Sequence, residues 1–433
     1  MSNFELVLKL LLQLTVILGT CRMVTILGRR YFRQTDVVCE MIAGVVLGPS
    51  LLGAIAPNLQ QWLFPKAPIL VQGIAGVTQI PHPSMSILFA ISQIGLVLYM
   101  FLIGLEFNSN LIKKRLQSAV LVSLAGIATP FSLGAAAAFF LSSQTELFAK
   151  GITPWAAGLY LGASMSITAF PMLARMLYER GIAQTRFGTL ALAAGSIDDA
   201  TAWCLLAIVL ASIKTNASIA AFAIGGGLGY TLLAIFVGRP ILTVFTRMTK
   251  RDGGLTIQTL TIVLIVLMLC AWLTDAIQLY AVFGAFILGT VMPRGEFAEK
   301  IRDRLEFLTV SLLLPLFFCF SGLNTQIGLV NTPHLWLITA LIVTIATVGK
   351  GVACTLAARF AGENWRESAT IGALMNARGL IELIILNIGL EQGIITPTLF
   401  TMMVIMAIVT TLMASPLVAV LLQGSVYETS QKL

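Results

Sequence analysis

Apolar runs of about twenty residues recur from one end of the chain to the other, long enough to cross a bilayer and separated by short polar segments. They predict helices over 4–27, 35–55, 86–107, 119–141, 154–177, 187–212, 219–237, 255–273, 277–291, 307–323, 335–358, 368–390 and 398–421. The ninth is short. A chain patterned in this way reads as an all-α polytopic membrane protein with thirteen transmembrane helices. Thirteen divides as six, one and six, which turns the second set of six over relative to the first and makes the two sets inverted repeats. The predicted organisation is one transmembrane domain over 1–433. It comprises a first repeat over 1–212, a linker helix over 219–237, a second repeat over 255–421 and a short cytoplasmic tail over 422–433.

Hydrophobic residues make up 58% of the 433 and charged residues 11%, against about 25% charged in an average soluble domain. That excludes a large soluble domain. The basic residues test the span count, because an omitted span would scramble their alternation. One side of the membrane receives Arg29, Arg30 and Arg33, then Lys113, Lys114 and Arg115, then Arg175, Arg180 and Arg186. The same side continues with Arg239, Arg247, Lys250 and Arg251, then Arg294, Lys300, Arg302 and Arg304, then Arg359 and Arg366, and last Lys432. The other side receives Lys66, Lys150 and Lys214. The positive-inside rule makes the richer side cytoplasmic, with the N-terminus outside and the C-terminus inside. It also accounts for the formal charge of +8 without nucleic acid, which needs a clustered basic face. The first stretch has no basic leader or small-residue cleavage site and reads as a retained helix. The six cysteines are scattered with no metal-ligand spacing, and His82 and His334 fall in loops. No nucleophile triad, metal cluster or phosphate loop points to an enzyme or a cofactor.

The chemistry is inside the spans. In the fifth, Pro171 lacks an amide proton and strains the turn before it, so carbonyls near Ile167 and Thr168 lose their helical partners, while Ser164, Ser166 and Thr168 add hydroxyls. Its counterpart in the other half, the twelfth, sets Asn376, Arg378, Gly379 and Glu382 in an apolar frame, with Arg378 and Glu382 spaced to pair on a continuous helix. Two broken helices crossing here would present half-helix ends at mid-membrane, where transporters hold ions; a simple proline kink is the plainer alternative. Asp198 and Asp199 stand near the middle of the sixth span. A charge there costs several kcal/mol, about 2.5 upward, unless it finds a partner, a proton or water. Successive helical side chains diverge by about 100°, so the two acids face different neighbours and take different roles. Lys350 in the eleventh span is the natural counter-charge. Counted from the cytoplasmic markers Arg359 and Arg186, Lys350 and Asp198 lie about 13 and 18 Å deep, within about a turn of each other. A structural salt bridge and a proton-linked pair are both open.

In that setting the chain resembles the monovalent cation:proton antiporter-2 family, which includes bacterial sodium/proton antiporters, potassium efflux transporters and plant cation/proton exchangers. The resemblance is carried, in order, by Gly44 to Gly53, Gly95 to Glu106, Thr168 to Pro171, Asp198-Asp199, Lys350 and Met375 to Gly389. It implies a homodimer with a dimerisation domain and a mobile core domain that moves by an elevator-like displacement. By position it makes Asp199 the ion- and proton-binding carboxylate and Asp198 the partner of Lys350. The Asp-Asp pair, where plant exchangers often have Asn-Asp and the glutathione-gated group Gln-Asp, points to electrogenic exchange and away from glutathione gating.

The expected function is secondary antiport of a monovalent cation, Na⁺ or K⁺, against protons, in the bilayer of a bacterial cell. The expected ion and proton site is Asp199, Asp198 and Thr168, with Lys350 as coupled charge and Arg378, Glu382 and Asn376 compensating the broken helices. A cation channel would conduct without proton coupling, and a sodium-coupled symporter would carry an organic solute. The choice of Na⁺ or K⁺ rests on cavity size and oxygen placement, and the sequence leaves the stoichiometry and the physiological direction open.

Overall fold

Hydrocarbon offers no partner to backbone amides and carbonyls, so a chain this apolar closes its hydrogen bonds within helices. The computed structural model describes residues 2–422 except 33, 66–68, 74–75, 81, 107–114, 143–145, 214–216, 252–253, 278–280, 324 and 326. Arg33, Lys66, Lys113, Lys114, Lys214 and Lys432 of the charge pattern, and 423–433 of the predicted tail, lie outside the described residues. The fold is nearly all-helical, and one departure corrects the all-α expectation. Strands β1 (Ile69–Gly73) and β2 (Gly76–Ile80) form an antiparallel hairpin with Ile69 opposite Ile80.

The helices in chain order are α1 (Asn3–Phe32), α2 (Asp36–Leu47), the short α3 (Leu52–Ile55) and α4 (Pro57–Leu63), α5 (Pro83–Glu106) and α6 (Leu116–Leu141). Then come α7 (Pro154–Ser166), α8 (Phe170–Glu179), α9 (Arg186–Ile213), α10 (Ala217–Leu233), α11 (Arg239–Arg251), α12 (Ile257–Ala276) and α13 (Ala281–Val291). The last are α14 (Glu296–Leu308), α15 (Leu314–Leu323), α16 (Pro333–Phe360), α17 (Trp365–Met375), α18 (Leu380–Glu391) and α19 (Pro397–Leu422). A π-helical turn, Ala234–Gly238, joins α10 to α11, and another, Thr309–Leu313, joins α14 to α15. The predicted spans 219–237 and 307–323 are therefore parts of longer helices. Arg239, Arg247, Lys300 and Arg302 ride on helical extensions, not loops, because α11 and α14 mix charged and apolar residues and remain helical past the apolar run. The span predicted over 35–55 is present as Asp36–Ile55, its helix interrupted after Leu47, where Gly48 turns extended ahead of Pro49, and resumed at Leu52–Ile55.

Among the described residues nine helices are long and apolar enough to cross a membrane, which makes this a multi-pass membrane protein. The predicted fifth, sixth, ninth and twelfth spans fall outside that set. By contacts the chain forms two compact units, Met1–Tyr99 with Leu305–Gly328, and Met100–Arg304 with Leu329–Leu433. In the first, Ile17, Phe64, Leu88, Leu316 and Cys319 form the core, and α2 meets α15 through Gly44 and Gly322. In the second, Leu173, Phe187, Leu190, Leu374 and Met375 are fully buried in a larger core drawn from α8, α9 and α17.

Candidate functional site

The fifth predicted span is two helices. α7 ends at Ser166, Ile167 is extended (φ −76°, ψ 138°), and α8 restarts at Phe170 with proline in its first turn. The proline explains the restart: it supplies no amide to the turn behind it but suits the first turn of a helix, whose amides have no intrahelical acceptor. The twelfth predicted span breaks too, between Met375 and Leu380. The two breaks touch. Ala169 N donates to Ala377 O at 3.1 Å, and a Cβ on Gly379 would stand 3.1 Å from Ala169 Cβ.

Charged side chains meet the free helix ends. Arg378 Nη2 donates to Met165 O at 2.7 Å, with Nη1 3.5 Å from Ser164 O, and Lys350 Nζ donates to Ser166 O. Two cations thus face the C-terminal carbonyls of α7, the negative end of its dipole. Glu382 lies in the first turn of α18, the positive end, with Oε1 3.8 Å from Arg378 Nη1. The predicted pairing of these two residues exists although Arg378 stands before the helix begins. Asn376 is the buried C-cap residue of α17.

All of Asp198, Asp199, Thr168 and Lys350 are buried in the second unit. Asp198 has a donor on each oxygen: Oδ1 accepts from Ser123 Oγ at 2.5 Å, while Oδ2 accepts from Thr168 Oγ1 at 2.6 Å and Lys350 Nζ at 3.0 Å. Thr168 Oγ1 is also 3.3 Å from Met375 O, but its single proton goes to the nearer carboxylate. The lysine is saturated, its third acceptor being Gly126 O at 3.0 Å. Asp199 differs from its neighbour, as the helical divergence predicts. It is 7% exposed, and Oδ1 has no hydrogen-bond partner among the described residues. Such an oxygen is suited to a proton or a dehydrated cation. The described residues contain no cluster of three or more His, Cys, Asp or Glu fit for a resident metal.

Ser164 and Ser166 turn their hydroxyls back to Tyr160 O and Ala163 O, and only their carbonyls serve the site. Sequence reasoning missed Ser123, whose signal was its spacing with Gly126 and Pro130 along one face of α6. It also missed Thr411, which accepts from Arg378 N and donates to Arg378 O or Ala407 O, holding the second break. Glu363, buried just past α16, accepts from Arg115 at 2.5 Å and Arg186 at 3.2 Å, and its carbonyl accepts from Arg359 at 3.0 Å. The near ends of α6, α9 and α16 are therefore fastened together.

Comparison with known proteins gives these positions a context. The family profile described as "Sodium/hydrogen exchanger, transmembrane" matches residues 14–424. The chain is 40% identical over 414 residues to the Na⁺/H⁺ antiporter NhaS4 of Synechocystis sp., covering 95% of this chain and 96% of that protein. It is 33% identical to the cation/H⁺ antiporter 18 of Arabidopsis thaliana, covering 94% of this chain but 48%, about half, of the plant protein. Among solved structures, the sodium proton antiporter MjNhaP1 of Methanocaldococcus jannaschii superposes with a TM-score of 0.65, covering 97% of each chain at 15% identity. At that identity the likeness is one of fold.

Proposed function

This chain belongs to the transmembrane sodium/hydrogen exchanger family, the monovalent cation:proton antiporters that its motifs resemble, and from that premise we propose that it exchanges Na⁺ or K⁺ for protons at Asp199. The observation that carries the reading is the inequality of the two adjacent acids. Asp198 has a donor on each oxygen and a buried ammonium beside it, whereas Asp199 keeps an oxygen without a partner among the described residues. Burial disfavours an empty, ionised Asp199, so the site crosses the membrane carrying either a proton or a cation. Antiport follows from that competition. Thr168 and Asp198, whose oxygens keep acceptor capacity beyond the donors they already have, are the nearby side-chain oxygens for a dehydrated cation, while Arg378, Glu382 and Asn376 compensate the half-helix ends.

The finer reading has thirteen helices in two inverted repeats, 1–212 and 255–421, joined by the linker helix 219–237 within one membrane domain. A core moves in elevator fashion within a homodimer in the bacterial cell membrane, with the N-terminus outside and the C-terminus, with the tail 422–433, in the cytoplasm. What supports these details is the motif order, the charge alternation and the paired breaks. Exchange is electrogenic in this scheme: a cation entering beside Asp199 displaces one proton there and a second from Lys350, and two protons for one monovalent cation move net charge.

The test is purified protein in liposomes with an internal pH dye, challenged in turn with Na⁺, K⁺ and Li⁺, and the same protein on a solid-supported membrane. Cation-driven proton movement with a transient current is expected. Conduction without proton coupling would replace antiport with a channel. Robust exchange without current would remove the electrogenic scheme and leave antiport standing.

A further inference from the structure

An ammonium in a protein interior needs an acceptor for each of its three N–H groups. For Lys350 these are Asp198 Oδ2, Ser166 O and Gly126 O. The first is a carboxylate, and the second is free because α7 ends there. The third lies in the middle of a helix. α6 runs unbroken from Leu116 to Leu141, and the amide of residue 130 would normally bond to the carbonyl of residue 126. Residue 130 is proline, buried inside the helix. Having no N–H, it leaves Gly126 O unclaimed, and its ring crowds that carbonyl away from the helical direction.

The surroundings fit this arrangement closely. A Cβ on Gly349, the residue before Lys350, would stand 3.4 Å from Pro130 Cα. A Cβ on Gly126 would stand 2.6 Å from Cys354 Sγ and 3.9 Å from Asp198 Oδ2. The two helices thus approach closely at the point where the carbonyl is released.

We infer that Pro130 is a positioning residue for the exchange reaction: by withholding an amide it presents the Gly126 carbonyl to Lys350 and completes the socket that holds the lysine as an ammonium beside Asp198. The inference rests on the antiport reading and adds to it the residue that frees the lysine's third acceptor. The charged and titratable groups that act on Lys350 are Asp198 from α9, Cys354 on its own helix, and Arg378 and Glu382 from the second break. All stay in place when residue 130 alone is changed.

Pro130→Ala restores the amide, which claims Gly126 O along the helix axis and leaves Nζ a poorer acceptor. The lysine then keeps a weaker hold on one of its three acceptors and is less firmly fixed beside Asp198. In proteoliposomes the pH profile of cation-driven proton movement should be displaced from that of the wild type by about 0.5 to 1 unit, the effect of weakening one hydrogen bond to a charged group. The melting temperature should be equal or higher, since an interior proline burdens a helix. A second variant separates the missing N–H from the ring: lactate at position 130, introduced by nonsense suppression, makes an ester that also has no N–H, and its profile should match the wild type. Superimposable wild-type and alanine profiles would overturn the inference, as would a lactate profile displaced as far as the alanine one. An alanine protein that fails to assemble counts against it too, because the relieved helix is expected to be no less stable. Wild-type liposomes without any cation-driven proton movement would sink the antiport reading and this inference together; wild-type exchange with unmoved profiles would sink this inference alone.

Discussion

Two pairs of helices in this protein bring their backbones into close approach by opposite means. In the first unit, α2 and α15 meet at Gly44 and Gly322, where added Cβ atoms would fall 2.1 Å from Cys319 O and 2.3 Å from Met41 O. Both helices are continuous there, the contact falling in the last turn of each. In the second unit, α7–α8 and α17–α18 meet by breaking, with Ala169 N donating across to Ala377 O. The glycine contact needs nothing but shape. The broken contact releases carbonyls that must be answered, and Lys350, Arg378 and Thr411 answer them. The lesson lies in what each contact must answer: the glycine contact leaves the helices continuous although the buried Glu40 lies one turn from Gly44, whereas the breaks free carbonyls that draw buried cations and a hydroxyl to them.

The comparison is broken most severely at Asp199. Asp199→Asn leaves the contact intact and is expected to abolish dye-reported exchange in liposomes while the protein stays folded; exchange at the wild-type rate would remove this residue from the mechanism. Next come the compensating charges. Arg378→Gln or Glu382→Gln alone leaves a buried charge unpaired and should cost about 3–5 kcal/mol, whereas the double variant should cost less. Thermal unfolding of the three proteins checks this, and strictly additive losses would show that the pair does not act as one.

Gly322→Ala tests the other contact. Its new Cβ meets backbone, so the helices must shift at a cost of about 1–3 kcal/mol, yet the pH profile of exchange should not move. A profile shift would mean that the glycine contact shares in the chemistry. The smallest effect sharpens the site itself. Ser164→Ala removes a hydroxyl that bonds only to its own helix and should stay within about 0.5 kcal/mol of the wild type. Ser123→Ala removes a donor from Asp198 and should cost about 1.5–3 kcal/mol. Equal melting temperatures for these two variants would contradict the assigned bonds.

Much of this was legible in the sequence because lipid simplifies the reading. Apolar length marked the nine plain spans, and Pro171 with the Asn376–Glu382 cluster marked where two others would break. The depth argument brought Lys350 to Asp198, and the structure puts them 3.0 Å apart. Carbonyls were much harder to foresee: every residue has one, and nothing in Ser166 or Gly126 as residue types says that its oxygen is free. Ser123 looked like many other serines in apolar helices until α6 was laid against α9. The helical extensions at Arg239–Arg251 and Glu296–Leu308 escape a reading by apolar length, because charged residues end an apolar run and yet are good helix formers. The hairpin at Ile69–Ile80 has too little apolar run to register in a search for spans.

The carboxylate of Glu363 gives the site a fulcrum. Arg115, Arg186 and Arg359 meet at that one residue, and the helices they begin or end carry Ser123, Asp198 and Lys350. Each helix is in effect a lever, with Asp198 about 18 Å along its arm from Arg186 and Lys350 about 13 Å along its own from Arg359. A tilt of about 3° at the fastened end displaces a group about 18 Å away by about 1 Å, on the order of the misplacement that costs a reacting site a hundredfold. The spacing of the buried charges is thus set in part at the far end of the levers, and a change confined to that hinge-point would detune the proposed ion site without touching an atom of it.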